Sequence, residues 1–162
     1  MQSPVPALAH QLRALKGVLA KAEAHAAAQG VDPARMLELR LAPDMLPLVN
    51  QVRVATDHAK GAAYRLSGRE VPPLADEEAS FQDLQARLDR TLDLVEAVPE
   101  AEFEGAEGRE VVLRTRMGEM TLTGSDYLWF FALPNFFFHA TTAYDILRAN
   151  GVPLGKRDFL GR

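Results

Sequence analysis

The sequence contains no cysteine. Disulfides, thiolate metal centres, iron–sulfur clusters and a cysteine nucleophile are therefore excluded. It also lacks a long apolar run. The richest stretch, Tyr127 to Phe138, is interrupted by Pro134 and Asn135, and a membrane span needs about 20 apolar residues. The start, Met1-Gln2-Ser3-Pro4, has neither the basic nor the apolar region of a secretory signal, so the cytoplasm is the expected compartment. There is no basic excess: 18 Lys and Arg against 22 Asp and Glu leave a net charge of −4. A nucleic-acid or anionic-membrane partner is not expected on that balance. No glycine-rich phosphate loop, Gly-x-Ser-x-Gly elbow or His-Glu-x-x-His pair occurs. What remains is a chain of 162 residues, 48% hydrophobic and 25% charged. This is the profile of one globular domain, 1–162, able to bury a core without covalent staples.

The apolar rhythm is mainly helical. Leu8, Leu12, Leu15, Val18, Leu19 and Ala22 recur at three- and four-residue steps, predicting a helix from about Pro4 to Gln29, stopped by Gly30. Asp32-Pro33 restarts a short connector helix that Pro43 ends. Asp44 is positioned to cap a second long helix, Met45 to Leu66, with a stripe of mostly small residues. After an extended linker, Asp76 opens a third, Glu77 to Val98, with Phe81, Leu84, Leu88, Leu92 and Val95 inward. Asp83, Arg87, Asp89, Arg90 and Glu96 form its expected solvated face.

Between Arg109 and Gly124 the period changes to two, predicting a short β-hairpin turning at Met117-Gly118-Glu119. Two strands alone are marginal, so the hairpin should pack on the helices or on a second subunit. Ser125 then caps the last long helix, Asp126 to Ala149, which is apolar on nearly every side and carries Pro134, a kink-forming residue. Such a helix fills the core with one face and wants a cover on the other, most simply a second copy of the chain. Phe130, Phe136 and Phe137 are the residues expected at that cover. The tail Leu154 to Leu160 has apolar anchors that can dock back. The acidic loop with Glu100, Glu102, Glu104 and Glu107 reads as solvated.

Of four histidines, His10 and His25 lie off the stripe of the first helix and read as surface residues. His139 sits in the most apolar helix, with Asn135 four residues before it on the same face. A buried polar pair needs partners. His58, at the rim of the second helix's small-residue stripe, is the candidate on the facing element, with Asp57 beside it. Two readings stay open. In one, His139 donates to a carbonyl or carboxylate, Asn135 satisfies backbone groups freed by Pro134, and Asp57 pairs with Arg53 or Lys60. In the other, His58, Asn135 and His139 form part of a divalent metal site; imidazole suits zinc, nickel or iron, while an amide oxygen is a weak ligand.

The run Leu133-Pro134-Asn135-Phe136-Phe137-Phe138-His139-Ala140-Thr141-Thr142-Ala143-Tyr144-Asp145-Ile146-Leu147-Arg148, followed by Asn150-Gly151, resembles the signature of the bacterial domain-of-unknown-function family DUF1993. So do Leu41-Ala42-Pro43-Asp44-Met45, Lys21-Ala22-Glu23-Ala24-His25 and Leu154-Gly155-Lys156-Arg157-Asp158-Phe159. That family in turn resembles the DinB-like (DinB/YfiT) superfamily. The resemblance implies an all-α, DinB-like four-helix bundle with a short connector helix and a small β-hairpin before the last helix, assembled as a homodimer. It also implies a divalent metal, zinc or nickel, on one histidine from the second helix and a His-x-x-x-His pair from the fourth. His139 matches the second of that pair, Asn135 stands where the first should be, and His58 falls near the second-helix ligand. The function this implies is a cleft between the second and fourth long helices that binds a small molecule or a metal. The alternatives are a metal-dependent enzyme of the thiol transferase or isomerase type, using mycothiol or bacillithiol, and a structural dimeric module without activity.

Overall fold

Helix α1 (Val5–Gln29) starts with prolines in its first turn, where the lost N–H has no intrahelical partner. It ends at Gly30, whose φ of 64° lets its N–H return to the Ala26 and Ala27 carbonyls. Its leucine stripe is buried as the spacing requires. In α2 (Pro33–Leu37), Asp32 accepts from the Ala34 N–H, the cap expected of it. The computed structural model describes residues 1–115 and 118–162.

Two helices begin later than expected. α3 (Leu48–Leu66) starts after Pro47, which holds an extended ψ of 165° at the N-cap position. Leu46, ahead of a proline, is disfavoured in helical geometry, and with the helix beginning only at Leu48 Asp44 lies too far back to cap it. α4 (Phe81–Glu96) is capped by Ser80, whose hydroxyl accepts from the Asp83 N–H, rather than by Asp76.

Asp76 is drawn off by Arg87, expected on the solvated face of α4 and in fact completely buried. Its guanidinium donates to Thr56 Oγ1 at 2.7 Å, the Ala75 carbonyl at 2.9 Å, Asp76 and Glu78 at 3.0 Å, and Asp57 at 3.1 Å. Arg53 closes on Glu78 from the other side at 2.7 Å. This network ties the extended stretch 69–79 to α3 and α4. A buried guanidinium is tolerated only when its donors are matched in this way.

After 3-10 turns at Glu100–Phe103 and Ala106–Gly108, strands β1 (Glu110–Thr115) and β2 (Gly118–Thr123) pair antiparallel, with Val111 opposite Leu122 and Leu113 opposite Met120. Val111 and Leu113 face the helical core, as a half-buried hairpin should. The expected turn residue Met117 lies outside the described residues. The acidic loop is partly engaged: Arg69 clamps Glu102 through both guanidinium nitrogens.

Thr123, not Ser125, caps the last helical run by accepting from the Asp126 N–H. The run consists of α5 (Gly124–Asp126), a π-helical segment (Tyr127–Ala132) and α6 (Leu133–Ala149). A Cβ on Gly124 would collide with the Ala106 carbonyl, so glycine alone permits this close approach. The wide π turn falls directly before Pro134, the residue that cannot donate to an α-helical ladder.

α1 packs on α4, α4 on α3, α3 on α6 and α6 back on α1, while α7 (Lys156–Phe159) docks on α1 as the tail's apolar residues foreshadow. Phe159 packs edge-on against Tyr144, and His10, exposed as expected, meets the Leu160 carbonyl at 2.9 Å. His25 is half-buried rather than freely exposed. Phe136, expected at an intersubunit cover, belongs to the core at 1% exposure. Phe130 at 79%, Trp129 at 58%, Phe138 at 55% and Phe137 at 38% are the large aromatic rings presented to the outside, Phe130 and Phe137 as expected. No helix among the described residues is long and apolar enough to cross a membrane.

Candidate functional site: a histidine pair between α3 and α6

His58 on α3 and His139 on α6 come together across the contact of the two helices. Their rings lie nearly parallel, 10° apart in plane and 6.0 Å between centroids. Phe131, from the π-helical segment, packs on His58 at 5.7 Å, and Tyr127 stacks on Phe131 at 6.0 Å. Tyr127, Phe131, Asn135 and His139 follow one another at four-residue steps. Of these, Tyr127 meets α3 at Arg65, Phe131 at His58, and His139 at His58 and Gln51.

The His139 ring is fixed by Gln51, a residue the sequence reading did not single out. Gln51 is 1% exposed. Its Nε2 donates to the Leu46 carbonyl at 3.0 Å, so its Oε1 must be the atom 2.7 Å from His139 Nδ1. An amide oxygen only accepts, hence Nδ1 carries the proton and Nε2 keeps its lone pair. Both histidines are held neutral at pH 7. Burial, then the neighbouring His139 and Arg65, depress the His58 pKa to about 4. Burial also lowers that of His139.

Asn135 donates through Nδ2 to the Phe131 carbonyl at 2.7 Å, inside its own helix, next to the π turn. That is the backbone-satisfying role weighed in the first of the two readings. Asp57 is turned to Lys60 at 3.3 Å and Arg87 at 3.1 Å. Among the described residues no three His, Asp or Glu side chains gather around one point. Two imidazoles would suit two positions of a zinc or nickel ion. A centre of three strong protein ligands does not fit this donor set.

His58 opens onto a concavity of about 210 Å³, lined also by Asp57, Arg65, Leu113, Arg114 and Phe131. Arg65 donates through Nη1 to the Tyr127 hydroxyl at 3.2 Å, and its guanidinium carbon lies 5.9 Å from that ring's centre. Burial raises the Tyr127 pKa against the opposing pull of Arg65, so the phenol stays protonated. A larger hollow of about 350 Å³ lies between α1 and the C-terminal segment. Its Arg13 and Lys21 are already paired with Glu96 and Asp158, and its His10 with the Leu160 carbonyl.

The helical fold with a hairpin ahead of its last helix is DinB-like. A solved structure of a DinB family member protein from Shewanella denitrificans matches with a TM-score of 0.91 and 38% sequence identity, over 98% of this chain and 89% of that one. The family model for the domain of unknown function DUF1993 covers residues 1–160, and the chain belongs to that family. No curated protein matches it.

Proposed function

We propose that the protein binds a small molecule in the concavity at His58, between α3 and the π-helical segment that precedes α6. The supporting observation is that an uncharged His58 opens onto it, its ring set between Phe131 and a His139 whose Nδ1 is tied to Gln51: an imidazole held in place to exchange hydrogen bonds with a ligand. Titratable groups shifted by burial beside a concavity are a mark of functional sites. The four long helices form a four-helix bundle in this reading, supported by their ring of mutual packing. The exposed Trp129, Phe130 and Phe138 cover one another's counterparts in a homodimer, and the compartment is the cytoplasm.

A second reading, a divalent-metal-dependent enzyme related to the thiol transferases and isomerases of the superfamily, draws support from the adjacency of His58 and His139. The competing structural reading leaves the pair without a ligand. One experiment separates them: metal content of the purified protein together with a thermal-shift screen of zinc, nickel and thiol cofactors, against a His139→Ala control. A ligand of the folded state raises the melting temperature. Stoichiometric metal lost in His139→Ala favours the enzyme, a metal-independent shift favours the binding protein, and no shift with any compound overturns both. Light scattering at micromolar concentration tests the dimer, which a monomer would refute.

A further inference from the structure

Gly61 lies in the interior of α3, buried, at a position where glycine costs about 1 kcal/mol relative to alanine. The reason is visible one turn on. A Cβ at Gly61 would run into the Nη1 of Arg65, whose guanidinium folds back over the bare backbone. There Arg65 is steadied by the Tyr127 hydroxyl and set beside the Tyr127 ring. Among the described residues no carboxylate pairs with it, although eleven ion pairs are formed elsewhere. The other charges of the concavity are spent: Asp57 on Arg87 and Lys60, Arg114 on Glu119.

We infer that the concavity at His58 takes a small carboxylate with an apolar body, its carboxylate on the Arg65 guanidinium and its body against Phe131 and Leu113. The inference rests on the binding reading above and names the ligand class. One uncommitted cation suits a monoanion, and a guanidinium presents its donors in the fork that a carboxylate matches. A phosphate dianion would bring a second charge that the site does not balance, with Asp57 on the rim. The concavity, about 210 Å³, is below the usual range of about 300–1,000 Å³ for drug-sized ligands, which limits the body to roughly a single ring or short chain.

The test uses benzoate and its neutral isostere benzamide, titrated by heteronuclear NMR into the full chain. Benzoate is expected to shift the His58, Arg65 and Phe131 resonances and to bind at least tenfold more tightly than benzamide. Arg65→Met should remove that preference. Gly61→Ala should remove it too, with folding intact, because an alanine favours the helix while displacing the guanidinium. Equal affinity for the two probes, or unchanged benzoate affinity in both variants, overturns the carboxylate inference and leaves the pocket reading standing. Binding of neither probe overturns the carboxylate inference as well, and the metal and thiol screen then decides the broader reading by itself.

Discussion

Gln51 Oε1 lies 2.7 Å from His139 Nδ1, and this one contact between α3 and α6 decides which nitrogen of the imidazole is free. The Gln51 amide has no freedom to rotate out of the role, since its nitrogen is committed to the Leu46 carbonyl. Orientation of a histidine by a buried acceptor is how its remaining nitrogen is given a fixed direction and a fixed protonation state.

Gln51→Leu should release the ring. The variant is expected to show a mixture of His139 tautomers in nitrogen-detected NMR, where the parent shows a protonated Nδ1 only. Stability should fall by about 1–3 kcal/mol, the cost of a buried donor and a carbonyl left without partners. A single unchanged tautomer in the variant would contradict the assignment.

The histidine pair should make stability depend on pH. The folded-state His58 pKa, about 4, lies below the ordinary value of 6.5, so between those values the unfolded chain binds the extra proton. Stability is then complete above pH 6.5 and is lost as the pH falls towards 4. The difference amounts to roughly 3 kcal/mol at most, with His139 adding in the same direction. Urea unfolding at a series of pH values checks this: the acid-side slope should flatten markedly in His58→Gln, and an identical slope in that variant would refute the claim.

Arg87 should be among the most sensitive positions in the chain. Arg87→Met leaves Glu78, whose side chain is 3% exposed, facing Arg53 alone. Burial by itself would raise the Glu78 pKa; the Arg53 and Arg87 guanidiniums outweigh it and hold the carboxyl below its usual range. Removing one partner of such a network costs about 3–5 kcal/mol, which for a chain of this size lowers the melting temperature by roughly 10 °C or more. Breaking the exposed Arg13–Glu96 pair with Glu96→Gln should cost under about 1 kcal/mol. Comparable losses from the two substitutions, measured by calorimetry, would contradict the buried role of Arg87.

The helices were legible because leucine and alanine stripes keep a strict period, and the hairpin because Val111, Leu113 and their neighbours switch to alternation. Helix starts were less so: Asp44, Asp76 and Ser125 are good caps by residue type, but Pro47, Ser80 and Thr123 stand closer to where the backbone can turn. His58 and His139 could be paired by face and spacing. Gln51, Arg65 and Arg87 could not. Each is a long polar side chain on a helix, a type that is solvated by default, and only the facing element reveals that water has been replaced by a specific partner. Gly61 was the one available signal, a glycine within a helical pattern, which warrants a packing or functional cause.

The π turn at Tyr127–Ala132 has a bearing on how this helix tolerates change in length. A π turn accommodates one residue more than the α turn it replaces, so the slack for a single deletion is already stored ahead of Pro134. Shortening the chain there would regularise the coil and swing Trp129 and Phe130 by about a quarter of a revolution, while everything from Asn135 onward kept its seat on α3. Because Tyr127 and Phe131 belong to the same turn, such a change would also move the rings beside Arg65 and His58, so the outward aromatics and the histidine site are tied through this one segment.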